Sequence, residues 1–326
     1  MTKLVESVPN FSEGRRIGVV DKLVAAVESV PGAFLLDRTS DASHNRSVLT
    51  LAGEPAPILE ALERTVAVAV DEIDMEKHFG EHPRIGAVDV VPFVPLAGAT
   101  MTDCIELARA FGARVADRFH MPVYLYGEAA TSPSRQRLAD VRRGQYEGLR
   151  TQISEPGREP DFGPAVLHAT AGAVAVGARP FLIAYNINLE SRDLELAKRI
   201  ARRIRESSGG LARVQANGFW IEELDRAQVS MNLLDFRTTP IWLVWESVRA
   251  EAAEDGVHLA ESELIGLAPL DSLLDVADHA GVSERLPETE RLAGAAAFLK
   301  LRDFSPMQAL ELRLDAVRGP RSVNGR

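Results

Sequence analysis

The sequence predicts an α+β protein of two βαββαβ halves, with mixed or antiparallel sheets and a ligand groove between them. Three observations carry that expectation. An order of strand, helix, strand, strand, helix, strand can be read twice along the 326 residues. At 46% hydrophobic and 26% charged residues, the chain has apolar material for two cores. It contains no G-x-G-x-x-G fingerprint, which speaks against a nucleotide-binding doubly wound sheet.

The elements of the first half, residues 1–179, follow in order. Residues 4–8 read as a short strand. Ile17, Val20, Leu23, Val24, Val27 and Val30 keep helical spacing, and Gly32 offers a stop. Residues 33–37 and 47–51 read as strands around the polar turn TSDASHNR, 39–46. Pro57 opens a helix whose periodicity runs to Ile73. Residues 85–95 read as a buried strand: β-branched residues dominate, and Pro92 and Pro95 are expected to end its ladder. A helix at 102–119 and a strand at 123–126 extend the sheet, followed by short helices at 133–142 and 145–153. SEPGREPDFGP, 154–164, reads as a loop near a domain boundary. In the small-residue stretch after it, Gly172 and Gly177 permit close backbone approach, but the Lys-Ser/Thr of a phosphate loop is absent.

The second half, residues 180–326, repeats the order. A strand at 181–187 leads to a helix capped by Ser191 and running to 206. Strands at 213–224 and 227–236 flank a turn at 223–226. Pro240 opens a helix to 254, and 257–264 is a strand. Helices are expected at 269–280 and 306–317, and the tail GPRSVNGR is expected to be disordered. Both halves thus show the ferredoxin-like order.

Composition narrows the function classes. The formal net charge is −10, where a nucleic-acid binder would show a basic excess or stripe. The basic run RIARRIRE, 199–206, alternates with apolar residues at helical spacing and reads as a solvated helix face. No apolar run approaches the ~20 residues of a membrane helix. The N-terminus lacks a signal pattern, because Glu6, Pro9 and Asn10 interrupt it. One cysteine, Cys104, leaves no internal disulfide and no Cys-based zinc cluster. A cytoplasmic protein is expected.

The chemistry concentrates in KHFGEHPRIGAVDVVPFVP, 77–95. A tight polar loop here feeds straight into a core strand, a rigid support for a reactive side chain. His82 is the first candidate, since imidazole both gives and takes a proton near neutrality. A loop-capping histidine and a metal ligand are the competing readings. His78-Phe79-Gly80-Glu81-His82 matches the H-x-x-E-H spacing of inverted zinc proteases. That spacing works on a helix, which Gly80 inside it and Pro83 after it disfavour. No metal is expected. Asp41, His44, Asn45 and Arg46 read either as a hydrogen-bonded turn or as a carboxylate-binding cluster with Arg46 as the fork. Arg84 either clamps a substrate carboxylate or pairs with Glu81, and Glu128 is a candidate partner for an imidazole. Arg135 reads as a surface residue.

LVESVPNFSEGR (4–15), EHPRIGAVDVVPFVP (81–95), VYLYGEAATSPSR (123–135), PDFGP (160–164) and FLIAYNINL (181–189) resemble the glutamate formimidoyltransferase family, in family order, over most of the chain to about residue 270. The family's catalytic histidine lies in its GEHPR block, which corresponds to His82. Several members lack a histidine at the position of His44, so no catalytic role is carried over to it. The resemblance assigns folate binding to Gly163, Pro164, Ala165, Val166, Leu167, His168, Ala169, Thr170, Ala171 and Gly172, although the interior AVLHATA differs from animal members. It assigns a second folate loop to Ser208, Gly209, Gly210, Leu211, Ala212, Arg213, Val214, Gln215, Ala216 and Asn217, shortened here relative to animal members.

What the resemblance implies is transfer of a formimidoyl group from N-formimidoyl-L-glutamate to tetrahydrofolate, a step of histidine breakdown. His82 would act as general acid/base, tetrahydrofolate as co-substrate, and the protein as a homodimer. The cyclodeaminase fused to the animal enzymes is not expected in a chain ending at Arg326. A related one-carbon transferase using glycine or a formyl donor, a non-catalytic folate-binding protein and a zinc hydrolase remain as alternatives.

Overall fold

In the computed structural model, which describes residues 2–319, the chain divides into two units after Pro180. The N-terminal unit opens with a strand broken in two, β1 (Val5–Ser7) and β2 (Asn10–Phe11). The break falls at Val8 and Pro9, where proline has no N–H to give a ladder. Helix α1 (Ile17–Glu28), β3 (Ala33–Asp41), β4 (Arg46–Gly53), α2 (Pro55–Glu72) and β5 (Val88–Pro95) complete the first βαββαβ set. The broken strand lies between β4 and β5, antiparallel to both, and β3 pairs antiparallel with β4. Then come α3 (Met101–Phe119), started by a Thr100–Asp103 capping box, β6 (Val123–Gly127), α4 (Leu138–Val141), α5 (Gln145–Gln152) and β7 (Val174–Ala178). β7 inserts between β5 and β6, parallel to both, to give a seven-stranded mixed sheet.

Amphipathic helices bury one face of this sheet. Leu23 and Val27 of α1, Ile58 and Leu62 of α2, and Phe111 and Val115 of α3 pack with Leu49, Leu51, Val91 and Phe93. Opposite them, Val141, Leu149 and Ile153 pack on Val90, Tyr124 and Tyr126. β7 is consequently buried at every residue. The sequence reading missed this strand, because VAVGA is short and small-residue-rich. Its Gly177 lies under the Tyr126 ring, where a Cβ would stand 2.6 Å from Cδ1.

Other boundaries move for identifiable reasons. Pro92 does not end its ladder; it sits inside β5, level with the Val8–Pro9 break, and its carbonyl accepts the Ser7 hydroxyl at 2.7 Å. The turn at 39–46 shrinks to 42–45, because Asp41 and Arg46 pair across the ladder. The 154–164 loop lies within the N-terminal unit: Val123 N–H donates to Phe162 O at 2.9 Å.

The C-terminal unit is β8 (Ile183–Leu189), α6 (Leu194–Ile204), β9 (Val214–Ile221), β10 (Arg226–Leu233), α7 (Ile241–Glu254) and β11 (Leu259–Ile265), then α8 (Leu270–His279), α9 (Glu288–Phe298) and α10 (Leu310–Arg318). Its four strands are antiparallel in the order β11-β8-β10-β9. As in the first set, the first strand lies between the third and fourth, so the α+β class with two βαββαβ sets expected from the sequence is the one observed. Asp193, not Ser191, caps α6 by accepting from Leu196 N–H at 3.0 Å. In the basic run, Ile200 and Ile204 point inward while Arg199 reaches Asp255 and Arg203 reaches Glu251 and Glu254. Helix α9 was not anticipated, its alanines giving little periodic signal. From residue 320 on, the tail expected to be disordered lies outside the described residues. Among the described residues no helix is long and apolar enough to cross a membrane.

Candidate active site

Between α2 and β5, residues 73–87 run without helix or repeated strand pairing. They are laid against the β3–β4 turn. Gly80 passes so close to His44 that a Cβ there would stand 2.3 Å from the His44 carbonyl oxygen. Asn45, held at φ 48°, clasps three segments together. Its Oδ1 accepts from Gly14 N–H at 2.9 Å, its Nδ2 donates to Phe79 O at 3.0 Å, and its own carbonyl meets His78 Nε2 at 3.1 Å. The loop is not a helix, so the H-x-x-E-H spacing does not place His78 and His82 on one helical face. His78 is turned inward to Asn45 and Arg84, and Glu81 is exposed.

His82 is half-buried, and its Nε2 lies 2.6 Å from Nη1 of Arg46, the first residue of β4. A guanidinium has only protons to give, so Nε2 is the acceptor and the ring is neutral. Burial, then the positive charges of Arg46 and Arg142 and the neighbouring His44, push the His82 pKa down to about 3. Burial and the charge of Arg142 also lower the pKa of Arg46. Arg142 follows α4 and donates to the carboxylate of Asp89 on β5, whose other oxygen accepts from Ile85 N–H at 2.9 Å. Asp89 is 1% exposed, and the Arg142 Nε is buried without a partner. Sequence reasoning missed Arg142. The available signal was Asp89 itself, an acidic residue inside VDVVPFVP that requires a cation.

The remaining candidates separate. Asp41 is exposed and bonds the backbone and ring of His44, which holds its carboxyl below the usual range. Asn45 is the clasp just described. Arg84 is buried and engaged: its guanidinium forks onto Glu147 at 2.6 and 2.9 Å and donates to Gln145 at 3.0 Å. It does not pair with Glu81, and its guanidinium is engaged by Glu147 and Gln145. Glu128 is exposed at the end of β6, its backbone N–H bonded to Ala178 O at 2.8 Å, and no imidazole meets it among the described residues. Arg135 is not a plain surface residue; it pairs with the buried carboxylate of Asp161 at 2.7 Å.

The model of the formiminotransferase domain, N-terminal subdomain, matches residues 4–179, and that of the formiminotransferase domain matches residues 184–310. The chain belongs to the formiminotransferase family. A glutamate formimidoyltransferase of Streptococcus pyogenes serotype M1 is 46% identical over 279 residues, 86% of this chain and 93% of that protein. One of Thermoplasma acidophilum is 46% identical over 278 residues, 85% of this chain and 91% of its own length. The formimidoyltransferase-cyclodeaminase of Mus musculus is 47% identical over 320 residues; these are 95% of this chain but 59% of the mouse protein.

Within this formiminotransferase, the stretch 163–172 is a loop returning to β7, exposed at 163–166 and 169 and buried at Ala171 and Gly172. Ala165, Val166, Leu167, His168 and Ala169 line one side of an open pocket of about 300 Å³, with Glu76, Tyr146 and Arg150 among the residues opposite. Tyr146 donates to one Glu76 oxygen and Arg150 to the other at 2.9 Å. His168 Nδ1 accepts from Ala171 N–H at 3.1 Å, which folds the loop on itself. Val166 stays 67% exposed. The 208–217 stretch belongs to the C-terminal unit: Gly209 turns at φ 88° after α6, and Gln215 and Asn217 point outward from β9.

Proposed function

We propose that this protein is a glutamate formimidoyltransferase, moving the formimidoyl group between N-formimidoyl-L-glutamate and tetrahydrofolate, with His82 as the proton-transferring group. The contact of His82 with Arg46 on a half-buried loop, beside Arg142, carries the reading. It puts a neutral imidazole next to a guanidinium suited to a carboxylate of an anionic amino acid. The curated relatives named for the same transfer add to it.

The chemistry follows from the leaving group. N5 of the folate attacks the amidine-like carbon, and a tetrahedral centre forms. The bond to the glutamate nitrogen then breaks. An amide ion leaves poorly, so a proton reaches that nitrogen as the bond breaks, while N5 gives one up. One imidazole serves both transfers in turn, a contribution of roughly 10²–10⁴-fold. Holding both substrates in line supplies the larger share. Tetrahydrofolate is a substrate here. The loop 165–169, apolar apart from His168, with Tyr146 among the residues opposite, has the mixed lining that a flat heterocycle requires. No metal enters this scheme. The reading extends to a cytoplasmic homodimer on family grounds alone, and light scattering of the purified protein tests the dimer.

His82→Ala is the direct test. Turnover of formimidoylglutamate is expected to fall by roughly 10²-fold or more, with folate affinity kept within a few-fold. Undiminished turnover overturns the assignment.

A further inference from the structure

His82 in its present geometry is a poor base. Its Nε2 lone pair is already spent on Arg46, and a guanidinium cannot be deprotonated to release it at neutral pH. A base whose proton affinity is held this low contributes little near neutrality. The arginine must therefore move, and the surroundings say what would move it.

Arg46 differs from the other arginines of the site. Arg84 is closed by Glu147 and Arg142 by Asp89, whereas Arg46 has no carboxylate at ion-pair distance among the described residues. The groups facing His82 are Arg46 from β4, His44 from the β3–β4 turn with Asp41 beside it, and Arg142 after α4 with Asp89 of β5. In that set Asp89 is taken by Arg142 and Asp41 by His44, which leaves the Arg46 guanidinium against a half-buried ring without an ion-pair partner among the described residues. We infer that Arg46 is a displaceable lock on His82: a carboxylate of the amino-acid substrate draws the Arg46 guanidinium onto itself, and only then is Nε2 free to take a proton.

The inference rests on the transfer reading and adds an order of events to it. A bound carboxylate completes the ion pair that Arg46 lacks. It also cancels part of the charge opposing protonation of His82, so the imidazole becomes a competent base only when there is something to react. The free protein keeps the ring neutral and capped. Arg46 is then both a substrate contact and the positioning residue that sets the availability of the base.

The test is a pH titration of the His82 ring by NMR, assigned with His82→Gln, with and without saturating L-glutamate as the carboxylate probe. The ring is expected to show no inflection between about pH 8 and 5 alone, and one inside that range with L-glutamate bound. In Arg46→Gln the inflection is expected at higher pH than in the wild type alone, and L-glutamate is expected to move it less, because burial of the ring remains. The acid limb of kcat/KM is expected to appear in the variant and be absent from wild type, while kcat shows one in both. An inflection that L-glutamate fails to move overturns the lock, as does L-glutamate that does not bind. The wild-type titration stands without the variant, should Arg46→Gln misfold. Turnover separates the two levels: a protein that processes formimidoylglutamate but whose His82 titration ignores L-glutamate loses only the lock. A protein that shifts His82 but turns nothing over loses the transfer reading instead.

Discussion

Two arginines on either side of His82 look alike in sequence and differ in the folded chain. Arg46 meets an imidazole and, among the described residues, no carboxylate at ion-pair distance, while Arg84 is buried and forked onto Glu147. Arg84 therefore holds the loop and α5 together, where a planar fork matters more than a charge. Arg84→Lys is expected to lower stability by about 1–2 kcal/mol, because one ammonium replaces a bidentate pair whose carboxylate end is exposed. The KM for formimidoylglutamate is expected to stay within about twofold. Chemical denaturation with steady-state kinetics checks this, and a KM rising tenfold at unchanged stability returns Arg84 to the substrate. The irregular loop that carries His82 was legible because it is too polar for a core and too broken for a helix. Its partner was not: Arg46 lies 36 positions away, and only the pairing of β4 with the rest of the sheet brings it there.

A loop without its own secondary structure holds a side chain precisely enough for proton transfer only if a rigid element carries it. Here that element is the β3–β4 hairpin, clasped through Asn45. Gly80 permits the contact by having no Cβ against the His44 carbonyl. Gly80→Ala is expected to push the loop off the hairpin, costing about 1–3 kcal/mol and lowering kcat about tenfold or more through misplacement of His82. A variant with unchanged kcat and a lowered melting temperature would detach the loop's position from catalysis. Elements of strong periodicity, such as α1, α2 and β5, were legible in the sequence. β7 and α9 were not, because small residues carry little hydrophobic period, and β7 owes its place to burial between β5 and β6.

On the scale of the whole chain, two βαββαβ units share an order of elements but differ in how they carry charge. The order was legible because the turn and helix signals recur in both halves. The difference was not, since burial of individual groups depends on the packing. His78, His82 and His168 all have lowered pKa values, each chiefly through burial, and all lie before Pro180. After Pro180 the one carboxyl with a resolved shift among the described residues, Glu311, is raised by burial. The signs oppose each other. A histidine lowered in the folded state stays neutral while the unfolded chain takes up a proton near 6.5. Stability is then fully present above that value and is lost as pH falls from it towards about 3. A raised carboxyl works the other way, since the folded state binds its proton first. The N-terminal unit is therefore expected to loosen as pH falls from 6.5 towards about 3 while the C-terminal unit holds. Hydrogen exchange on the intact chain, corrected for intrinsic rates, measures this segment by segment. His82→Gln is expected to remove part of the pH dependence, and equal loss of protection in both units would show that it does not arise from these half-buried imidazoles.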